Sequence, residues 1–219
     1  MSDFFSFSTV HQAYFKAHGQ VHHYKKGQIF THRQEVSRDV YFLESGYVKV
    51  GFSTKDATER VLSIVLPGMT FAQVGSFYAM PQTELEFEAY SDIVIYRIPR
   101  DRFLIDLTHD QQLFYDWYRR TAENQLFWIE LLTCCAERKP RDRILSWLTC
   151  MVRYFSITTG GKATIEMPLS QETIAAMTML TRESTNKVIH ELKRLGIITV
   201  KDKHITIPNV EALDKLARA

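Results

Sequence analysis

Cysteine is scarce in this chain: Cys134, Cys135 and Cys150 are the three in 219 residues. Three thiols leave one over after any pairing, and none stands in a CxxC pair. A disulfide framework and a zinc framework are both excluded, and reduced, packed thiols are expected. No apolar run approaches the ~18 residues of a membrane span. The opening MSDFFSFSTV lacks the basic start and long apolar stretch of a secretion signal, so a cytoplasmic location without membrane contact is expected. No nucleotide-binding glycine loop and no Ser-His-Asp signature appears, and no cofactor or metal is expected.

Charge of one sign is also lacking overall, since the formal net charge is +2. Its distribution is uneven. Residues 1–137 carry 13 Lys+Arg against 17 Asp+Glu, whereas residues 138–219 carry 14 against 8. The positive field therefore belongs to the C-terminal part, where a polyanion would be attracted.

That part holds the most informative pattern, residues 169–207. Ser170 can cap a first helix whose apolar residues are Ile174 and Met177. Thr181 can cap a second, with Glu183 in its first turn, where negative charge suits the helix dipole. Val188, Leu192 and Leu195 form the apolar stripe of the second helix, and Gly196 stands where a left-handed stop is expected. The leading exposed positions carry Arg182, Glu183, Asn186 and Lys187, side chains able to read base edges in a major groove. Residues 197–200 and 204–207 alternate as a hairpin around a tip of Lys201, Asp202 and Lys203. The pattern is that of a winged helix-turn-helix, with Ser170, Thr181, Lys201 and Lys203 placed to meet the DNA backbone.

Residues 20–98 read as short strands and turns. Candidates are Ile29-Phe30, residues 40–43, 48–52, 61–66 and 93–96, with Gly27, Gly46 and Gly68 between them. This spacing suggests an antiparallel barrel or double-sheet roll. A long helix is expected from about Gln111 to Glu137. Leu113, Trp117, Arg120, Asn124, Phe127, Leu131 and Cys134 recur along it at alternating steps of four and three, the heptad spacing of a coiled coil. A second stripe (Phe114, Tyr118, Thr121, Gln125, Trp128, Leu132, Cys135) runs one position on. A helix apolar on two faces needs two partners, its own roll and the same helix of a second subunit. The expected dimer seam is Leu113, Trp117, Asn124, Phe127 and Leu131, with Asn124 fixing register. Lys139-Pro140 breaks the helix, and a new one starts near Arg141. The predicted architecture is α+β: an N-terminal antiparallel β-roll, residues 1–110; a dimerisation helix, 111–137; and a winged helix-turn-helix domain, 138–219.

The order of these parts resembles the cyclic-AMP receptor protein/FNR (Crp/Fnr) family of bacterial transcription regulators. In the roll the resemblance rests on Lys26-Gly27-Gln28-Ile29-Phe30, on residues 40–46 (VYFLESG) and on Leu66-Pro67-Gly68. In the C-terminal part it rests on residues 169–175 (LSQETIA) and 181–185 (TREST), the more specific set. It implies a roll like a cyclic-nucleotide-binding domain, a double-stranded jelly roll. It also implies base contacts from Arg182, Glu183 and Lys187, and double-stranded DNA, a second copy of the chain and RNA polymerase as partners. Two departures stand out. Lys187 occupies a position more often Arg in the family, losing the two-pronged geometry. Met179 stands in the inter-helix turn where Gly is common, so the turn is expected to adopt a geometry that a non-glycine tolerates.

The roll departs further. The family's cyclic-nucleotide binders carry a Gly-Glu pair for the ribose and an Arg-Ser pair for the phosphate. Here Ala72-Gln73 replaces the first, and the stretch from Pro81 to Tyr90 has no basic residue and three Glu, which would repel a phosphate. No cyclic-nucleotide binding is expected. A pocket lined by Gln73, Ser76, Phe77, Tyr78, Phe87, Phe127 and Trp128 would favour a small apolar or aromatic effector; equally, those aromatics could fill a core that needs no ligand. An iron–sulfur cluster needs four thiolates, more than the chain has. Two rivals remain. One is a regulator working mainly through protein–protein contacts. The other is a cupin-like enzyme on the roll, for which His32 with Glu35 is the nearest approach to a metal site.

Overall fold

The structure is a computed structural model, and it describes residues 9–36, 38–71 and 85–218. The chain divides into two compact units, Phe7–Thr121 and, C-terminal to it, Ala122–Ala219.

The first unit begins with helix α1 (Thr9–His18) and continues through eight strands: β1 (Gln20–Tyr24), β2 (Ile29–Thr31), β3 (Asp39–Ser45), β4 (Val48–Ser53), β5 (Glu59–Val65), β6 (Thr70–Phe71), β7 (Glu86–Ala89) and β8 (Ile93–Pro99). They form two four-stranded antiparallel sheets, ordered β1-β8-β3-β6 and β2-β7-β4-β5. Gly46 makes the β3–β4 turn at φ +83°, and a Cβ there would meet the Asp92 carbonyl oxygen at 2.2 Å. Helices α2 (Arg100–His109) and α3 (Gln111–Ala136) follow.

Strand β3 explains the continuous apolar run of residues 40–43. Leu43 turns into the roll interior with Val48, Val50, Phe71, Phe87 and Ile95, and Tyr41 packs there too. Val40 and Phe42 turn the other way, against Phe15 of α1, Phe103 and Leu107 of α2, and Leu113 of α3. A strand buried on both faces loses the alternation of a half-exposed one. The expected strands all form, with bounds shifted by one to three residues at several ends. Helix α2 was not expected; it buries only Phe103 and Leu107, too sparse a stripe to be read as a periodicity.

A polar knot sits in this unit. His11 of α1 is fully buried, with Nδ1 3.1 Å from Thr70 Oγ1 and Nε2 3.7 Å from Asp116 Oδ2. Burial depresses its pKa to about 4, against the opposing pull of Asp116. Asp116 also holds Arg120 at 3.1 Å, which accounts for an arginine on the inner side of α3.

The second unit comprises the last part of α3, then α4 (Pro140–Phe155), β9 (Ser156–Thr159), β10 (Lys162–Ile165), α5 (Gln171–Thr178), α6 (Arg182–Arg194), β11 (Thr199–Lys201), β12 (His204–Ile207) and α7 (Val210–Ala217). Pro140 opens α4 at its first position, where its missing N–H is harmless, and Lys139 before it is extended. Helix α4 is the spine. Ile144, Trp147, Leu148 and Met151 are fully buried on it, and α5, α6 and α7 all pack against it. The wing is larger than expected: β11 and β12 belong to a sheet ordered β11-β12-β10-β9. Gly160 and Gly161, both at positive φ, join its other two strands, β9 and β10.

The expected dimer seam needs correction. Leu113 lies in the first unit's core, and Phe127 in the second unit's, where it packs edge-on to Tyr154 at 5.4 Å and Phe155 at 5.0 Å. Leu131 is buried as well, Trp117 packs against the first unit's core, and Asn124 is exposed. Apart from Asn124, that stripe is covered by the chain itself. The exposed heptad stripe is Tyr115, Tyr118, Ala122, Gln125, Ile129, Leu132 and Ala136. Starting two residues on, it lies about 200° round the helix. Both stripes satisfy the same spacing, so periodicity alone could not tell which faces inward.

Candidate nucleic-acid interface

Helices α5 and α6 are each capped by a side chain at the N-terminus. The Ser170 Oγ accepts from the Thr173 N–H at 3.0 Å, and the Thr181 Oγ1 accepts from the Ser184 N–H at 3.1 Å, so both expected caps form. Each cap satisfies one orphan N–H of its helix, worth about 1 kcal/mol. Helix α5 is buried from Thr173 to Thr178. Helix α6 buries Thr185, Val188, Ile189 and Leu192 and shows the opposite face to solvent. Leu195 falls off the expected stripe: it is the C-cap residue and is exposed, while Gly196 takes the left-handed conformation at φ +70°.

The turn between the helices differs from expectation. Met179 adopts φ +55° and ψ +31°, the left-handed conformation a glycine would take at no steric cost. The turn keeps that shape and strains a methionine into it. The Met179 N–H donates to the Ala175 carbonyl, and the next residue's Leu180 N–H donates to the same oxygen at 3.0 Å. These bonds close α5 and set the start of α6.

Arg182, Glu183 and Lys187 are exposed on the leading half of α6. Asn186 is not among them. It is half-buried, and its Oδ1 is enclosed without a hydrogen-bond partner among the described residues. That oxygen is therefore turned toward the protein, and Asn186 is less open to a partner than Arg182, Glu183 and Lys187. Beyond Lys187 the exposed face continues through His190 and Arg194. These line an open groove of about 330 Å³ with Lys187 and Glu191. His190 and Arg194 lie where the helical period continues past Lys187, the last exposed position named from the sequence. Glu191 is held by Arg141 of α4 at 3.0 Å.

The wing is tied to this surface by the backbone. The Leu169 N–H donates to the Lys203 carbonyl at 2.7 Å. That bond sets the wing turn beside Ser170 and the N-terminus of α5, where unpaired N–H groups favour an anion. The turn itself is Asp202-Lys203, both at positive φ, and Lys201 pairs with His204 as the last residue of β11. Lys201 and Lys203 are both exposed. Arg182 Nη1 lies 2.9 Å from Glu172 Oε1 of α5, a pair the sequence pattern did not suggest.

The roll's candidate effector residues do not assemble as expected. Gln73, Ser76, Phe77 and Tyr78 lie outside the described residues. Phe127 is committed to the second unit's core, with Trp128 5.6 Å from it and half-buried. Phe87 does face the roll interior, in a cluster with Tyr24, Phe30, Tyr41 and Phe71 whose ring centroids lie 4.7–6.4 Å apart. Glu88 faces outward, 2.7 Å from Lys49 on the neighbouring strand, and Glu86 alternates to the same side. These two acids therefore do not face the interior, which corrects the repulsion expected of them; Glu84 lies outside the described residues.

An antiparallel roll in one unit and a basic winged helix-turn-helix in the other define a DNA-binding regulator. The Crp-like helix-turn-helix domain family matches residues 142–216, and the cyclic nucleotide-binding domain family matches residues 21–105. The chain belongs to the Crp/Fnr family of transcription regulators. It is 23% identical to the CRP-like cAMP-activated global transcriptional regulator of Mycobacterium tuberculosis, over 89% of this chain and 87% of that protein. Among solved structures it resembles FixK2 from Bradyrhizobium japonicum (TM-score 0.75, 21% identity, 90% of this chain and 96% of that one). It also resembles a CooA mutant from Carboxydothermus hydrogenoformans (TM-score 0.78, 17% identity, 94% and 90%). Among the described residues no helix is long and apolar enough to cross a membrane.

Proposed function

We propose that two copies of the chain bind an inverted-repeat DNA site, each laying α6 in a major groove. The supporting observation is the polarity of α6: Arg182, Glu183 and Lys187 are exposed on its leading half, while the opposite face is buried. Arg182 or Lys187 donates to guanine O6 and N7, and Glu183 accepts from cytosine N4. Ser170, Thr181, Lys201 and Lys203 meet phosphates, an assignment favoured by the bond that joins the wing turn to the start of α5. The copies pair along Tyr115, Tyr118, Ala122, Gln125, Ile129 and Leu132. Tyr115, Ile129 and Leu132 are 69%, 60% and 65% exposed in one chain, a row of large apolar side chains that a second copy would cover. Half-sites then lie about 10–10.5 base pairs apart or a multiple of that. RNA polymerase is the partner through which such a protein changes transcription, and no chemical step is assigned to the chain.

Cyclic AMP is not the proposed effector, although the mycobacterial relative is named for it. The sequence has no Lys or Arg between Arg60 and Arg97. Lys49, the basic residue nearest in the sheet, is taken up by Glu59 and Glu88. The roll interior among the described residues is occupied by its own packed rings, which favours a filled core over a ligand pocket. Selection of bound duplexes from a random pool, run with and without cyclic AMP, tests the reading. A two-fold symmetric consensus, unchanged by the nucleotide, is expected. An asymmetric or absent consensus would overturn the dimeric base-reading model, and a consensus needing the nucleotide would overturn the effector assignment.

A further inference from the structure

We propose that Glu172 is a positioning residue for base recognition, gripping one edge of the Arg182 guanidinium so that its other edge is presented to a guanine. The proposal rests on the base-reading role of Arg182 given above.

The two side chains come from different helices and meet at 2.9 Å through Arg182 Nη1 and Glu172 Oε1, both on the exposed side. Each sits on a firmly anchored support. Glu172 is in the first turn of α5, whose N-terminus Ser170 caps and whose following six residues are buried. Arg182 is the first residue of α6, directly after its cap, Thr181. A long arginine in that place, left alone, would sample many rotamers and meet phosphates and bases alike. A guanidinium carries five N–H donors in a planar fork. With Nη1 engaged by Glu172, the Nη2 and Nε donors remain, and reading guanine O6 and N7 needs two donors in one plane. The carboxylate thus fixes the plane of the fork without consuming its reading edge.

The carboxylate has a second, separable effect. It puts a negative charge on a surface that approaches phosphates, which weakens binding to every sequence equally. Sequence-independent and sequence-dependent contributions therefore move in opposite directions when Glu172 is removed, and the ratio of affinities isolates the positioning role.

The test is a double-mutant cycle on the full-length protein. The R182A variant first identifies, by its altered selection profile, the base pair that Arg182 reads. Affinities are then measured for the selected duplex and for the same duplex changed at that pair, using the unaltered protein, E172A, R182A and the double variant. E172A is expected to lower the discrimination ratio about threefold to fivefold, the scale of one exposed charge pair. It is expected to raise affinity for both duplexes through lost repulsion, and to leave the ratio untouched when Arg182 is already alanine. An unchanged ratio, or the same fall in both backgrounds, would overturn the positioning role while leaving Arg182 as a reader. If R182A changes discrimination at no base pair, Arg182 is not a reader and the role of Glu172 falls with it. Glu172→Gln separates charge from geometry: a Gln whose amide oxygen still accepts from Nη1 should retain most of the ratio and lose the repulsion.

Discussion

In the roll unit, β3 sends Leu43 and Tyr41 into an interior of packed aromatic rings and Val40 and Phe42 outward under α1, α2 and α3, so one strand serves two cores. In the second unit one helix, α4, carries the core, and α5, α6 and α7 lean on it. The roll's contacts join residues far apart in sequence, such as Phe15 with Phe103 or Tyr24 with Ile93. The second unit's recognition element is defined by neighbours: a cap three residues from its donor, a stripe at steps of three and four, a left-handed stop. Local rules therefore describe the helix-turn-helix half well and the roll half poorly. That difference has consequences for stability, for pH and for binding.

The sharpest way to break the second unit is at its spine. Trp147→Ala removes a fully buried indole from α4, and a loss of about 3–5 kcal/mol is expected. Denaturant unfolding measures it. A loss below about 1 kcal/mol would mean α4 is not the load-carrying helix. DNA binding should fail along with the unit.

The roll unit should break with acid. The His11 pKa of about 4 lies below its unfolded value near 6.5, because burial disfavours the charged ring. The buried neutral ring is therefore compatible with folding above the unfolded value. As pH falls from about 6.5 toward 4 the unfolded chain takes up a proton that the folded one refuses, and about 3 kcal/mol is lost. Unfolding curves of the unaltered protein and His11→Gln across that range test it. Identical pH slopes would remove His11 as the cause.

On DNA, Arg182→Ala should cost about 1–3 kcal/mol on the selected site and relax preference at one base pair. Lys201→Ala should instead weaken selected and random duplexes alike and shallow the salt dependence by about one charge. Titrations at several salt concentrations separate them. Equal losses from Arg182→Ala on both duplexes would assign it to the backbone, and an unchanged salt slope would remove Lys201 from it.

The smallest effect is expected at the turn. Met179→Gly relieves a left-handed non-glycine residue, and a gain of about 0.5–1 kcal/mol is expected after the extra freedom of the unfolded glycine is counted. A loss would show that the Met179 side chain contributes more than its backbone strain removes.

The winged helix-turn-helix was legible because its signals are short-range. Ser170 and Thr181 cap from three residues away, Gly196 stops α6, and Ile174, Met177, Val188 and Leu192 are buried as their spacing predicts. Leu195 was misread, since a position at a stripe's edge is settled by what packs beside it. In the roll, the interior strands were legible as apolar runs, but helix α2 and the inner and outer faces of β7 were not. The outward turn of Glu88 follows from its pairing opposite Lys49, a partner some forty residues away.

The amino-acid sequence by itself determined the order of parts, the placement of both caps, the break at Pro140 and the concentration of positive charge after residue 138, because each depends on residue type within a few positions. Only the tertiary structure decided which face of α3 is buried, which aromatics fill the roll and that Glu172 meets Arg182. Heptad spacing places residues on stripes without saying which stripe the rest of the chain covers. That choice is made by the summed burial of distant side chains, a quantity no local pattern contains.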